Sequence, residues 1–380
     1  MPVREYLLVF GTATLVTYLI TGGVRLLAAR IGAFTPIRDR DVHTSPTPRM
    51  GGVALYLGVA AGMLMAMQLP RLSQAFAGST EIAGVLVAGA VIVGVGVLDD
   101  RFDLDAVTKL VGQILASAIL VLFGVQWLFT WVPADNPAGG TILTFNGIQG
   151  ALITVLLTLV LANAMNFIDG LDGLLTGVAL IAALGIFVFS VHQLVVSRDD
   201  TQASQPPLIS AALIGACLGF LPHNFSPARI FMGDSGSMFI GLTTAAAIVS
   251  MGGKLDTSTF GGRSIIGLLS PLIVILAVVF IPVLDFFLAV LRRTRARRHP
   301  FSADQKHLHH RMLAIGHTQR QAVLIFYLWA LVLSGAAVSL AFVADWHLIL
   351  LPAAVGLAAA LGFSLWPWAR ARRLGRRRAG

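Results

Sequence analysis

Apolar runs of about twenty residues recur from one end of this chain to the other, separated by short polar loops. A run of that length crosses the ~30 Å hydrocarbon core as a helix. Inside lipid each segment must satisfy its own backbone hydrogen bonds, so an open chain of such runs can fold there only as a helix bundle. Eleven spans are read, at 5–29, 51–69, 81–98, 107–124, 149–167, 173–195, 207–222, 236–252, 264–291, 321–343 and 347–366. The fold class expected is therefore all-α: a polytopic integral membrane helical bundle, with one domain over 1–369 and a basic cytoplasmic tail over 370–380. Composition agrees, since 56% hydrophobic and 12% charged residues rule out a soluble multidomain protein of this length. The first span lacks a small-residue cleavage site close behind it and continues into Arg30, Arg38, Arg40 and Arg49, so it reads as a retained helix.

A net charge of +9 raises the question of nucleic acid, and the distribution of the basic residues answers it. With the N-terminus outside, the outer loops and N-terminal segment hold Arg4, Arg71, Arg198, Lys254 and Arg263, leaving twenty-two of the 27 Lys and Arg at or near the inner face. That is the positive-inside bias of a multi-pass protein of the bacterial cytoplasmic membrane. The densest blocks, Arg292 to Arg298 and Arg370 to Arg378, come with no nucleic-acid recognition fold; the second reads as a frayed anchor to anionic lipid. Cys217 is the single cysteine, so no intrachain disulfide can form. Between Val125 and Gln149, aromatic and β-branched residues flank a Pro/Asn/Gly turn, which predicts a small extracytoplasmic hairpin.

Polar clusters sit at the ends of these apolar runs, where lipid makes them costly unless they line a functional, wet site. By the span count, every cluster falls on the cytoplasmic face. In LDDRFDLD, Asp99 and Asp100 emerge directly from an apolar helix; a lone aspartate there would read as a helix cap, but adjacent carboxylates are best tolerated beside a divalent cation. Lys109 lies a turn or two along the next helix and could meet a phosphate. Asn163, Asn166, Asp169 and Asp172 recur at three-residue spacing, close to one helical face, with Gly170 expected to end the helix before Asp172. In FMGDSGS, Asp234 or Ser235 could cap the next helix, and Asp234 with Asn166 could complete a magnesium shell, which commonly uses one or two protein ligands. His307, His309 and His310 stand beside Lys306 and Arg311; their tight packing and the lack of nearby cysteine argue against structural zinc and for an anionic substrate. A shaped turn joins His43 to Gly52 and carries Arg49. Asp285 lies inside a span, where a carboxylate must be paired or neutral, and its role stays open at this stage.

Taken together and in order, PRMGG, LDDRFDLD, NAMNFIDGLDGL, MGDSGS and PFSADQKHLHHRM resemble the polyprenyl-phosphate N-acetylhexosamine-1-phosphate transferase family, over about residues 38 to 315. The resemblance implies transfer of a sugar-1-phosphate from a UDP-sugar to a polyprenyl phosphate, undecaprenyl or decaprenyl, releasing UMP, with Mg2+ or, in its place, Mn2+. It implies that Asn166 and Asp234 hold the metal, that Asp99 and Asp100 are catalytic or near-metal acids, that Lys109 contacts phosphate, and that His307, His309 and His310 belong to the sugar-nucleotide pocket. It also implies a homodimer, for which the sequence shows no interface signature. MraY-type members, which use UDP-MurNAc-pentapeptide, usually carry TPTMGG and an uninterrupted histidine triplet, whereas this chain has PTPRMGG and HLHH. Those departures point to UDP-GlcNAc and to the first membrane step of a cell-envelope polysaccharide. The reading from another class is an ion-coupled transporter, whose polar residues would sit nearer the midplane.

Overall fold

The computed structural model describes residues 2–34, 46–133, 140–196, 204–252, 265–295, 307–343, 345 and 347–378. Arg38, Arg40, His43, Arg198, Lys254, Arg263, Arg297, Arg298 and Lys306 lie outside the described residues, as does the apex of the 125–149 loop.

All eleven expected spans coincide with helices. They are α1 (Val3–Ile31), α2 (Gly51–Ala66), α4 (Glu81–Phe102), α5 (Ala106–Leu122), α6 (Gly147–Ile168), α7 (Leu174–Val196), α8 (Gln205–Asn224), α9 (Gly233–Gly252), α10 (Ile265–Arg295), α12 (Gln319–Phe342) and α13 (His347–Arg378). Among the described residues, nine of these are long and apolar enough to cross a membrane, while α2 and α5 are shorter apolar helices. Two short helices complete the set, α3 (Gln74–Ala77) and α11 (Leu308–Ile315). The 125–149 loop pairs β1 (Phe129–Pro133) with β2 (Gly140–Thr144) in antiparallel register, Trp131 opposite Ile142.

The bundle is organised around α9. Every residue from Ser235 to Met251 is buried, the signature of a helix apolar on all sides and enclosed by others. Helices α4, α6, α8 and α2 surround it, and α1 packs outside α2 and α8. Close approach depends on small residues, the usual device where lipid supplies no hydrophobic drive between helices. At Gly52 and Gly96 a Cβ would run into the Ser235 backbone, so α2 and α4 both reach α9 at its first turn. Leu15 and Leu19 on α1, Leu152 and Leu156 on α6, and Leu351 and Val355 on α13 face outward, the apolar belt a bilayer would cover.

The C-terminus departs from the expected frayed tail: α13 continues through Arg378. Alanine, leucine and arginine are strong helix formers, so the backbone continues as helix beyond the apolar stretch that ends near Pro367.

Candidate active site

The ends of four helices meet at one end of the bundle. Asp99 and Asp100 occupy the last turn of α4, Lys109 the first turns of α5, Asn166 the last turn of α6, and Asp234 the first turn of α9. The extended segment before α2 is zipped to the loop before α9: Phe231 N–H donates to Pro48 O at 2.8 Å, Gly51 N–H to Phe231 O at 3.1 Å, and Gly52 N–H to Met232 O at 3.1 Å. Met50 takes the left-handed conformation in that segment, φ 78°, a backbone state other than glycine rarely adopts. The result is a cavity of about 230 Å3 lined by Arg49, Asn166, Asp169, Asp172, Asn224 and Asp234 among others.

The adjacent aspartates divide their labour. Asp99, buried, accepts from Leu104 N–H at 2.8 Å and pairs with Lys109 Nζ at 2.7 Å. Lys109 Nζ also donates to Asp234 Oδ2 at 3.0 Å, so one ammonium joins two carboxylates from α4 and α9. Asp100 accepts from Asp234 N–H at 2.9 Å, from Ser235 N–H at 3.3 Å and from the Ser235 hydroxyl at 2.8 Å. It is the N-terminal cap of α9, supplied from another helix, in place of the expected cap by Asp234 or Ser235 themselves. The helix dipole favours a carboxylate there. Gly233 makes the fit possible: its φ is +70°, and a Cβ would collide with the Asp100 carboxylate. The bland capping role anticipated for an aspartate of LDDRFDLD falls to Asp105, which accepts from Val107 N–H at 2.9 Å and Thr108 N–H at 3.0 Å, and whose carboxyl is held low chiefly by the Thr108 hydroxyl.

The 163–172 line splits where α6 ends. Asn166 lines the cavity beside Asp234; it donates Nδ2 to Ser237 Oγ at 2.9 Å, and its side-chain amide also hydrogen-bonds the Asp234 carboxylate. Asn163 is a correction to the expected substrate contacts: its Nδ2 donates to Gln113 Oε1 at 2.8 Å and to Leu159 O at 2.8 Å, and it does not line the cavity. One turn further from the helix end, its amide joins α6 to α5. Asp169 lies past the helix on the cavity wall, where burial, with Asp234 adding repulsion and Arg49 opposing, pushes its carboxyl up to about 7. Asp172 accepts from Ala228 N–H at 3.0 Å and so also ties down the loop before α9.

The histidines arrive on α11. His307 precedes its first turn, and the His309 ring stacks parallel to it with centroids 5.6 Å apart. His310 packs on His309 at 4.3 Å. Nε2 of His309 lies against Gly170 in the cavity wall, so the imidazoles stand beside the cavity and not among its lining residues. Burial, then His310 and His307, pushes His309 down to about 3, which keeps it a neutral donor or acceptor at neutral pH. Asn224 was missed from the sequence: it lines the cavity, accepts from Thr176 Oγ1 at 2.6 Å and donates to Ile230 O at 3.1 Å. Only its place two residues after Pro222, at the end of an apolar run, hinted at it.

The family model for glycosyl transferase family 4 matches residues 82–252, the stretch that supplies α4, α5, α6 and α9. The chain is 51% identical to a decaprenyl-phosphate N-acetylglucosaminephosphotransferase of Mycobacterium tuberculosis, over 90% of this chain and 84% of the relative. It belongs to glycosyl transferase family 4. Other relatives mark the breadth of that family. A phospho-N-acetylmuramoyl-pentapeptide-transferase of Desulforudis audaxviator is 33% identical over 85% of this chain and 94% of its own length. An undecaprenyl-phosphate alpha-N-acetylglucosaminyl 1-phosphate transferase of Escherichia coli is 28% identical over 86% and 82%. The relatives are thus named for both of the transferred groups weighed from the sequence, and the 51% relative is named for N-acetylglucosamine phosphate.

Proposed function

We propose that the protein transfers N-acetylglucosamine-1-phosphate from UDP-GlcNAc to a membrane polyprenyl phosphate, forming polyprenyl-diphosphate-GlcNAc and UMP at the cytoplasmic surface of the bacterial inner membrane. The observation that carries this reading is the convergence of four helix ends on Asp234: Asn166 and Asp234 line the cavity, Lys109 joins Asp234 to Asp99 behind it, and Asp100 caps the helix that carries Asp234. The 51% relative named for decaprenyl phosphate favours that acceptor.

Among the described residues, no three His, Cys, Asp or Glu side chains form a ready-made metal cage. Asn166 and Asp234 instead line one cavity wall side by side, and the amide oxygen of the one with the carboxylate of the other would give a sparse, all-oxygen set that fits Mg2+ completed by phosphate oxygens and water. When bound there, Mg2+ supplies neutralisation of the diphosphate charge. The reaction itself is an in-line displacement: an oxygen of the lipid phosphate attacks the sugar-bearing phosphorus, the bond from that phosphorus to the bridging oxygen breaks, and UMP leaves with that oxygen. The acceptor already carries its nucleophile, so no covalent enzyme intermediate is needed. Two of the three Lys109 donors are spent on Asp99 and Asp234, leaving one for a phosphate oxygen. Arg49 lines the cavity itself, and its guanidinium has the planar fork that suits phosphate. The carboxylates fix these cations and would orient the metal.

The test is purified protein in detergent with decaprenyl phosphate, radiolabelled UDP-GlcNAc and Mg2+. UMP and a labelled lipid should appear together and stop when EDTA is added. Product from UDP-MurNAc-pentapeptide alone would overturn the donor assignment. Substrate flux in proteoliposomes without UMP release would overturn the enzyme reading in favour of a transporter.

A further inference from the structure

Asp285 is the sole acidic residue in the sequence of α10, and it lies three turns from the basic end of that helix. A lone carboxylate in an apolar helix is costly unless paired, and this one is 1% exposed. Both of its oxygens are used by α11. Oδ1 accepts from Leu308 N–H at 2.9 Å, and Oδ2 lies 2.9 Å from His307 Nδ1. A carboxylate can only accept, so His307 Nδ1 carries the proton and Nε2 is left for other chemistry. The His307 ring packs 5.7 Å from Phe167, the neighbour of Asn166, and stacks on His309, which meets Gly170 in the cavity wall. Asp285 itself does not line the cavity.

We infer that Asp285 is a positioning residue for the transfer reaction: it fixes the tautomer and orientation of His307 and pins the first turn of α11 beside the cavity. The inference rests on the transferase reading of the site. Outer partners of this kind typically change activity about 10–100-fold when removed, and an aspartate-to-asparagine change behind a histidine acts by reversing its tautomer.

The test combines kinetics with a measurement that needs no turnover. Asp285→Asn offers one acceptor oxygen to two donors, so it should lower kcat/KM for UDP-GlcNAc about 10–100-fold. His307→Gln should lower it similarly, and the double variant should lose clearly less than the product of the two single losses, because Asp285 acts mainly through that imidazole. In protein labelled with 15N-histidine, the His307 nitrogens should report the Nδ1-protonated tautomer in the wild type and lose that signature in Asp285→Asn. Asp285→Glu keeps two oxygens and the charge, and should restore the signature and part of the rate, which covers the case of an unfolded Asn variant. Wild-type kcat/KM in Asp285→Asn, multiplicative losses in the double variant, or an unchanged His307 signature would each overturn the inference. A wild-type protein that releases no UMP would sink the transferase reading, while the nitrogen resonances would still decide whether Asp285 sets the tautomer.

Discussion

Lys109 is held between Asp99 and Asp234 at 2.7 and 3.0 Å, so its removal leaves two carboxylates facing each other and takes away the cation that backs Asp234 at the cavity wall. Lys109→Met should reduce UMP release by about 10²–10³-fold, the usual loss when one preorganised donor to a developing charge is deleted; activity within tenfold of wild type would remove Lys109 from the mechanism. Asp99 and Asp100 should separate experimentally although they are adjacent. Asp100→Ala should lower the melting temperature as well as turnover, because it strips the cap from α9, a change of about 1 kcal/mol or more. Asp99→Asn should lose turnover with little change in melting, measured by thermal unfolding in detergent. His309 gives a pH signature. Its imidazole titrates near 6.5 when unfolded and is pushed down to about 3 when folded, so the unfolded chain binds the extra proton. The stability held by neutral His309 is therefore complete above about pH 6.5 and is lost as pH falls toward 3. His309→Gln should flatten the fall in melting temperature between pH 7 and 4.5; an unchanged slope would contradict the assignment. At this scale the sequence exposed which residues matter but not how they pair. Asp100 and Asp234 stand 134 positions apart, and nothing local indicates that one caps the helix of the other. Asn163 was misread because a three-residue rhythm says that side chains share a face, not how far along the helix the site extends.

At the scale of elements, the site depends on how closely α4 and α2 approach the first turn of α9. Gly96→Ala would place a methyl against the Ser235 backbone and push α4 outward, carrying Asp99 away from Asp234. Overpacking of this kind typically costs about 1–3 kcal/mol, so the variant should melt earlier and lose turnover in parallel. Gly94→Ala, where a Cβ meets nothing, serves as the control and should behave as wild type. Normal activity in Gly96→Ala would show that the close approach is not needed. Helix positions were legible because hydropathy marks apolar runs directly, and the strand pair because β-branched and aromatic residues bracket its turn. The extension of α13 was not, since a cluster of arginines reads as charge before it reads as helix former. Nor did α11 stand out, because its histidines overshadow a helical stretch only eight residues long.

For the whole molecule, the arrangement requires the four helix ends to share one side of the bilayer. With the N-terminus outside, Gln74 in the loop region of α3 should face outward and Arg229, before α9, should face the cytoplasm. Cys217 is buried, so single cysteines report cleanly. A membrane-impermeant maleimide on intact cells should label Gln74→Cys and spare Arg229→Cys until the cells are opened; the reverse pattern would invert the proposed orientation. The charge asymmetry across loops is the ground for expecting this side, while the packing order around α9 was not legible in the sequence, because hydropathy gives spans without neighbours.

The carboxylates are built into the ends of bundle helices, while the imidazoles ride on a short segment tethered through Asp285 and seated on Gly170. Foundation and fitting are thus separable. A lineage could retool which donor it accepts by rewriting that tethered piece, leaving the load carried by the central helix untouched.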